Sequence, residues 1–503
     1  MELIPTFEAF EAGWNAGRNQ VVYARLAADL DTPVSLMLKL AGARKDSFML
    51  ESVTGGEVRG RYSVVGLKPD LIWECAGRES RINRQARFDE TAFEPLDAPP
   101  LDTLRALIAE SRIDMPEALP AIAAGLFGFL GYDMIRLVED LPNVNPDPVG
   151  LPDARLLRPS VVAVLDGAKG EVTVVAPAWV SSGLSARAAY AQAAERVMDA
   201  VRDLERAAVG ESRDLGAASA GTEAVSNFTK AEYMAAVERA KEYIRAGDIF
   251  QVVPSQRWSQ PFPLPPFALY RSLRRTNPSP FMFFFNFGAF QVIGASPEIL
   301  VRLRDGEVTI RPIAGTRPRG ATPTEDAALE ADLLADKKEL AEHLMLLDLG
   351  RNDVGRVARI GSVHPTEKFI VERYSHVMHI VSNVVGELNE GEDALSALLA
   401  GLPAGTVSGA PKVRAMQIID ELEPEKRGVY GGAVGYFAAN GEMDMCIALR
   451  TAVVKDETLY IQAGGGVVYD SDPEAEWQES VNKAKAIRRA AEDAGLFAGH
   501  GNA

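Results

Sequence analysis

One segment near the C-terminal end constrains the fold most, because it makes a strand, a glycine turn and a helix follow one another. The strand-like residues 459–462 lead into three consecutive glycines at residues 464–466, and the helical pattern that follows carries Glu476 and Glu479. Glycine has no Cβ atom, so these backbone N–H groups can turn toward one anion at close range. Glutamates three positions apart share a helix face and can hold a hard cation beside that anion.

A second glutamate pair with the same spacing, Glu339 and Glu342, lies in another predicted helix. Such pairs are most often a solvated helix face, but the surrounding leucines (residues 340, 344, 346 and 347) predict that this helix is mostly buried. A buried carboxylate needs a cation or a proton, and magnesium binds few protein carboxylates while it keeps waters or substrate oxygens. The two pairs therefore predict a carboxylated substrate bound with magnesium. A structural calcium site is the weaker alternative, because the chain has no Asp-rich loop.

Charge and composition exclude several classes of partner. The 503 residues carry a net charge of −17, whereas nucleic acids and anionic membranes require a basic face. Cys75 and Cys446 are too few for a disulfide framework or a thiolate metal site. The first residues lack a signal-peptide pattern, and no apolar run reaches the roughly 20 residues that span a bilayer. We therefore expect a cytoplasmic protein that binds neither nucleic acid nor membrane.

The chain divides into two halves. In the first half strand-like runs alternate with turns and few long helices, and in the second half long helical patterns alternate with strands. Residues 185–206 form an alanine-rich amphipathic pattern, and the Gly-, Ala-, Ser- and Glu-rich residues after them predict a linker. We place one domain at residues 1–206, the linker at 207–228 and a second domain at 229–503. Many strands joined by hairpins, with helices between them, predict an α+β fold of antiparallel sheets covered by helices.

Several local elements can be predicted individually. Thr229 and Glu232 form a capping box that starts a helix ending near Gly247. Residues 455–458 predict a hairpin between two strands. Strands are predicted at residues 160–165, 171–175, 249–253, 281–287, 290–293, 308–310, 432–437, 446–454 and 459–462.

Some polar residues lie in apolar or turn-like surroundings. His379 is in a strand-like apolar run, where a histidine is more often a core residue than a catalyst. Arg450 is in an otherwise apolar predicted strand and needs a carboxylate partner. Residues 406–412 fit a helix start with Ser408 as its cap, and they equally fit an anion site built from free N–H groups.

The order of the motifs resembles the chorismate-utilising enzymes, and most specifically the anthranilate synthase component I family. The resemblance is dense over residues 229–490 and reaches the first half through residues 50–52 and 60–63. Besides the glycine segment, the matching blocks are residues 294–298, 312–316, 336–343, 346–353, 402–412, 430–436 and 447–451.

Three positions separate the branches of this family. Water-adding relatives carry a lysine base where this chain has Gln251, and glutamine cannot deprotonate water. Aminodeoxychorismate synthases carry a nucleophilic lysine where this chain has Ala314, which leaves room for ammonia to attack directly. Residues 277–282, with 50–52, resemble the tryptophan feedback site of the anthranilate enzymes, and Phe281, often tyrosine in relatives, is the one departure.

The resemblance implies two facing antiparallel β-sheets with helices packed outside, an active site in residues 229–503 and a regulatory site between the sheets. Glu298 would protonate the departing C4 hydroxyl, and His379 would assist loss of pyruvate. Glu342 and Glu479 would hold Mg²⁺, with Glu339 and Glu476 next to them. The residues implied to hold the substrate carboxylates are Thr316, Tyr430, Arg450, Gly464, Gly465 and Gly466, with Thr406 nearby. Those implied to bind tryptophan are Leu50, Glu51, Ser52, Asn277, Pro278, Phe281, Met282 and Cys446, with Glu51 pairing with the ammonium group.

The resemblance also implies partners. Ammonia would come from a separate glutamine amidotransferase subunit, component II, in a heterotetramer with two copies of each chain. Chorismate would be the substrate and L-tryptophan the feedback inhibitor. The nearest alternative is aminodeoxychorismate synthase component I, which Ala314 disfavours. An alternative of another class is a non-catalytic tryptophan-sensing subunit, which is disfavoured because unneeded buried charges are destabilising.

Overall fold

The structure is a computed structural model that describes residues 1–53, 60–142, 144–207, 223–374 and 377–498. The helices are α1 (Phe7–Asn15), α2 (Pro33–Leu40), α3 (Pro100–Glu110), α4 (Ala186–Leu204), α5 (Lys230–Ala246), α6 (Pro266–Thr276), α7 (Pro323–Ala335), α8 (Lys337–Gly355), α9 (Ala394–Gly401), α10 (Lys412–Leu422), α11 (Pro473–Asp493) and α12 (Gly495–Ala498).

The strands of the first half are β1 (Gln20–Ala27), β2 (Ser47–Glu51), β3 (Tyr62–Ala76), β4 (Glu79–Asn83), β5 (Glu94–Leu96), β6 (Gly125–Leu130), β7 (Ala154–Asp166), β8 (Glu171–Ala178) and β9 (Val225–Ser226). The strands of the second half are β10 (Gln251–Val252), β11 (Ser255–Pro261), β12 (Phe281–Asn286), β13 (Phe290–Ser296), β14 (Ile299–Arg304), β15 (Glu307–Ile310), β16 (Ile313–Pro318), β17 (His364–Arg373), β18 (Val377–Glu387), β19 (Gly409–Ala410), β20 (Ala433–Ala438), β21 (Met443–Ile447), β22 (Thr451–Lys455) and β23 (Thr458–Gly464).

The strands of the two halves pair with each other. Within the described residues all strand pairs are antiparallel. Hydrogen bonds join 21 strands into one network, and β10 and β19 form a separate pair. β2 pairs with β12 and β6 pairs with β20, so both halves contribute to the same sheets. The boundary at 207–228 stays a prediction, and residues 208–222 of it lie outside the described residues.

The hydrophobic core has a central layer and two outer layers. On β12, Phe283 and Phe285 face a central cluster, whereas Met282 and Phe284 face an outer one, as the alternation of strand side chains requires. The central cluster takes side chains from strands of both halves. Helices α1, α2, α4, α6 and α11 cover one outer cluster, and α3, α8 and α9 contribute to the other. This arrangement confirms the predicted α+β fold of two facing antiparallel sheets with helices outside.

Local sequence signals placed several elements correctly. The Thr229 side chain accepts the Glu232 N–H, the Glu232 carboxylate accepts the Thr229 N–H, and α5 starts at the next residue, as predicted. Gly247 ends that helix at φ 83°, a left-handed conformation that glycine adopts without strain. The hairpin between β22 and β23 is also confirmed. Its two turn residues, Asp456 and Glu457, both have positive φ.

Three local predictions are wrong. Residues 446–454 are not one strand, because one strand ends at Ile447 and the next begins only at Thr451. Ser408 does not cap α10, since its buried hydroxyl donates to the carbonyl of Ala404 at 2.7 Å. Helix α8 is not mostly buried, because an amphipathic helix buries one stripe only, and Leu344 on its other side is 50% exposed.

Among the described residues, no helix has both the length and the apolar character that crossing a membrane requires.

Candidate active site

His379 lies on β18 between two neighbouring strands. The register places Thr316 of β16 opposite it on one side and Glu372 of β17 on the other, so the three side chains share a face. A bulge in β16 at Gly315, where φ is +75°, brings the Gly315 carbonyl within 3.0 Å of His379 Nδ1. A carbonyl can only accept, so Nδ1 carries the proton and Nε2 remains a free base. Burial, with help from Arg450, lowers the pKa of His379 and keeps the ring neutral.

Glu298 lies between β13 and β14 and is 7% exposed. The Thr406 hydroxyl lies 3.3 and 3.4 Å from its two carboxylate oxygens. Burial raises the pKa of Glu298 to about 8, although hydrogen bonds from Thr406 and the Ile313 backbone oppose the shift. The carboxyl group is therefore mostly protonated at neutral pH and can donate a proton.

Arg450 occupies the break between β21 and β22 in a strained conformation. Its φ of +47° is in the left-handed region, which costs a non-glycine residue about 1–2 kcal/mol. Its guanidinium forms no ion pair with any residue that the structure describes, and burial lowers its pKa. A half-buried cation without a protein carboxylate is suited to binding a carboxylate of a ligand.

The N–H groups of the glycine segment, residues 464–466, are not all free to bind a ligand. The Gly464 N–H is close to the Tyr430 hydroxyl, and burial raises the pKa of Tyr430 to about 12. The Gly465 N–H donates to the Pro254 carbonyl at 3.3 Å, so the prediction that all three N–H groups are free is wrong for this residue. The physical reason is that β23 is still paired with β11 where the glycines begin.

Steric contacts explain why residues 464–466 are glycines. A Cβ atom on Gly465 would lie 2.9 Å from Glu476 Oε2 and 3.6 Å from Glu479 Oε1. A Cβ atom on Gly466 would lie 2.4 Å from the Gln251 side-chain amide. The end of β23 is therefore held directly against the start of α11 and against Gln251.

The charges of the four glutamates act on one another, but their carboxylates do not form one closed cluster. Gln251 Nε2 donates to Glu342 Oε1 at 3.3 Å, and Arg317 Nη1 lies 3.4 Å from Glu339 Oε1. Burial and then Glu339 raise the pKa of Glu342, and Glu479 adds to this effect. Glu479 is half-exposed and pairs with Lys483 at 2.8 Å.

The surroundings of Glu476 indicate that these residues fit a magnesium ion. Its Oε2 atom is buried without a hydrogen-bond partner, and burial and then Glu479 disfavour its charged form. Within the described chain, no three His, Cys, Asp or Glu side chains are close enough to hold a metal as a ready-made set. Magnesium needs only one or two protein carboxylates when a substrate supplies further oxygens, so the residues fit.

A separate cavity of about 270 Å³ lies behind Glu298, on the side of Pro297, Ile299 and Ile313. Six of the eight residues predicted to bind tryptophan line it, namely Leu50, Glu51, Ser52, Phe281, Met282 and Cys446. Asn277 and Pro278 do not line it: Asn277 ends α6, and the lining of the cavity in this segment begins two residues after Pro278, at Pro280.

Glu51 is not the free carboxylate that the sequence suggested. Its Oε2 accepts from the Tyr270 hydroxyl at 2.8 Å and its Oε1 accepts from Arg274 Nε at 2.7 Å. The side chain is 2% exposed, and burial of a charge requires such partners. A ligand ammonium group would have to share Glu51 with Arg274.

Some contacts at the site were not predicted from the sequence. Lys483 pairs with Glu479 and also donates to the Gly464 carbonyl at 3.0 Å. Glu479 and Lys483 are four residues apart on one helix, so the sequence was sufficient to predict this ion pair. Arg317, which pairs with Asp332, Asp336 and Glu339, gave no such signal because its partners come from other elements.

Comparisons with known proteins give matches over most of the chain. A model of the family described as chorismate binding enzyme matches residues 68–489. The chain is 83% identical over 493 residues to anthranilate synthase component 1 of Cereibacter sphaeroides, and the match covers 98% of each chain. It is 51% identical over 468 residues to the protein of the same name from Pseudomonas aeruginosa, covering 92% of this chain and 93% of that relative. The solved structure of anthranilate synthase component I from Streptococcus pneumoniae matches with a TM-score of 0.74 at 37% identity, covering 92% of this chain and 99% of that one.

Proposed function

This chain belongs to the chorismate-binding enzymes and, within them, to the anthranilate synthase component 1 family, and we propose how its residues convert chorismate and ammonia into anthranilate and pyruvate. The observation that carries the proposal is the buried Glu298 carboxyl beside Thr406, in a site whose half-buried Arg450 has no ion-pair partner in the described chain.

The first step is amination of the ring. Ammonia forms a bond to C2, the two ring double bonds shift toward C4, and the bond between C4 and its hydroxyl oxygen breaks. Glu298 donates its proton to that hydroxyl, which leaves as water. Hydroxide is a poor leaving group, so this protonation lowers the barrier. Ala314, half-buried on β16, leaves the space that ammonia needs. The product of this step is 2-amino-2-deoxyisochorismate.

The second step makes the ring aromatic. The C2 proton leaves to His379 Nε2, and the bond between C3 and the enolpyruvyl oxygen breaks. The departing enolpyruvate takes up a proton at its methylene carbon and becomes pyruvate. A neutral imidazole, with Nδ1 held by the Gly315 carbonyl and near Thr316 Oγ1, is suited to accepting that proton.

The substrate carboxylates need cationic and N–H partners. We assign them to Arg450, Thr316 and Tyr430, with Thr406 nearby and with the backbone N–H groups of Gly464 and Gly466. Gly465 takes part through its lack of a Cβ atom, which lets Glu476 and Glu479 approach.

Chorismate-binding enzymes of this family generally depend on magnesium. We propose that Glu342 and Glu479 hold Mg²⁺, with Glu339 and Glu476 beside them. When bound, the ion neutralises the ring carboxylate and makes the neighbouring C2 more electrophilic. The unpartnered Oε2 atom of Glu476 and the raised pKa values of Glu342 and Glu476 support a cation at this place.

A component 1 protein implies a component II partner and chorismate as substrate. We propose that this partner is a glutamine amidotransferase, in a heterotetramer with two copies of each chain. The sequence contains no Gly-x-Cys-x-Gly nucleophile motif, and both cysteines are buried. We also propose that L-tryptophan binds in the 270 Å³ cavity and inhibits the enzyme, since six predicted contact residues line it.

One experiment tests the proposal in four arms. The purified chain is incubated with chorismate and Mg²⁺, and anthranilate fluorescence and pyruvate release are recorded. Ammonium should support turnover, whereas glutamine should be inert without the amidotransferase. Chelation of Mg²⁺ should stop turnover, and tryptophan should reduce it. Formation of 4-aminodeoxychorismate or isochorismate as the main product would overturn the assignment.

A further inference from the structure

Tyr374 stands between the cavity and the catalytic histidine. It lines the 270 Å³ cavity together with Arg311 and Ile313. Its ring also meets the ring of His379 edge to face, with centroids 5.6 Å apart. Cavity and reaction site are therefore one aromatic side chain apart at this place.

A partly buried ion pair between Arg311 and Glu372 holds Tyr374. The tyrosine hydroxyl donates to Glu372 Oε2 at 3.0 Å. Arg311, 6% exposed, donates from Nη1 to that same oxygen at 3.0 Å and from Nη2 to the other one. Arg311 itself lines the cavity, so both ends of this three-residue arrangement face the space that a ligand would occupy.

The same arrangement reaches the two groups that face the substrate. Glu372 is opposite His379 in the register of β17 and β18, and its charge acts on the imidazole against that of Arg450. Tyr374 is also close enough to Arg450 to oppose the lowering of its pKa by burial. Arg450 is held at φ +47°, a conformation that only its surroundings maintain, so a displaced neighbour can change its position at low cost.

We propose that Tyr374, held by Arg311 and Glu372, positions His379 and Arg450 and transmits occupancy of the cavity to the reaction site. An amino acid in the cavity contacts Tyr374 and Arg311 and biases how the tyrosine ring meets His379. Binding of tryptophan and binding of chorismate then oppose each other through one shared side chain. This inference rests on the regulatory part of the proposed function.

The cavity offers a matched control in a second tyrosine. Tyr436 on β20 also lines the cavity, but its ring contact is with Phe127 of the central core, 5.7 Å away. Tyr436→Phe removes a cavity hydroxyl without touching the Glu372 arrangement. Tyr374→Phe keeps the ring against His379 and removes the hydroxyl that bonds to Glu372. Glu372→Gln is a second variant that weakens the pair with Arg311 but leaves an acceptor for Tyr374.

The test is a coupling measurement on the full chain with Mg²⁺ and without ammonia, so that chorismate binds without turnover. Calorimetry gives the tryptophan Kd with and without saturating chorismate, and the chorismate Kd with and without saturating tryptophan. Coupling between two sites is reciprocal, so the two ratios in the wild type should agree, at about 5- to 150-fold. In Tyr374→Phe the ratio should fall toward 1, while the tryptophan Kd without chorismate changes less than about threefold because the aromatic ring that lines the cavity is kept. Glu372→Gln should give an intermediate ratio and Tyr436→Phe the wild-type ratio.

The outcomes distinguish a failure of the proposed regulation by tryptophan from a failure of the role of Tyr374. A wild type that does not bind tryptophan overturns the regulatory part of the proposed function and this inference with it. A wild type with clear coupling that Tyr374→Phe and Glu372→Gln both retain overturns this inference alone. An equal loss of coupling in Tyr436→Phe would also contradict it, because any change in the cavity would then be sufficient.

Discussion

Two arginines in different regions of the molecule show how the same side chain can serve either packing or ligand binding. Arg158, on β7 in the first half, donates to Asp70 at 3.1 and 2.8 Å and to Glu110 at 3.0 Å, and it stacks over Trp179 at 4.4 Å. Arg450, in the break between β21 and β22, has no ion-pair partner within the described residues and a strained backbone. Arg158 has its charged partners within the protein, whereas Arg450 gains a charged partner when a ligand carboxylate binds.

The same contrast separates buried carboxyl groups. Glu423 accepts from the Arg427 guanidinium and from the Ser255 hydroxyl and N–H, so its charge is compensated inside the protein. Glu298 has hydroxyl and backbone partners but no ion-pair partner in the described residues, and burial makes it a weak acid. Buried groups that are left chemically incomplete mark the catalytic region, because folding alone would not favour them.

The largest effect is expected for Glu298→Gln, which removes the proton donor and keeps the shape of the side chain. The turnover number should fall about 10²- to 10⁴-fold, as is usual when a general acid is lost. Anthranilate fluorescence with ammonium and Mg²⁺ measures the rate, and circular dichroism shows that the fold is retained. A loss below tenfold would mean that water or another group protonates the leaving hydroxyl.

The two arginines should respond oppositely to the same substitution. Arg450→Gln should raise the chorismate KM about 10- to 100-fold, the cost of one charged hydrogen-bonded partner, with the midpoint of thermal unfolding nearly unchanged. Arg158→Gln should leave the KM of the folded enzyme unchanged and lower the free energy of unfolding by about 2 kcal/mol, since Asp70 loses its charged partner and Glu110 keeps only Arg84. Urea unfolding and steady-state kinetics on both variants make the comparison. If both variants lose stability equally, Arg450 has a structural partner and the contrast is wrong.

The smallest effect is the pH dependence of the first step. Glu298 is active when protonated, and its pKa is raised to about 8, so activity should be present below that pH and be lost above it. The alkaline limb should fall about tenfold per pH unit. Thr406→Val removes a hydrogen bond that lowers the pKa of Glu298, so in this variant the limb should move to higher pH. A limb that stays in place would assign it to another group.

Local chemistry in the sequence determined the elements that depend on neighbouring residues. The capping box of α5, its glycine end and the hairpin at Asp456 and Glu457 were all predictable, because each depends on side chains within four positions. The ordered motifs also indicated the family and the residue types of the site. They did not indicate which helix face is buried, so α8 was predicted to be more buried than it is.

Only the tertiary structure decided how the site groups act. Thr406 and Glu298 are 108 positions apart, and their contact and the raised pKa of Glu298 depend on strands that meet only after folding. The break at Arg450 lies in a run that is apolar enough to predict one strand, and the pairing of β22 with β13 and β23 sets where it falls. The partners of Glu51 were also not predictable, because Tyr270 and Arg274 come from α6, more than 200 positions away. Residue types follow from the sequence, but charge states and free partners depend on burial, which the whole fold sets.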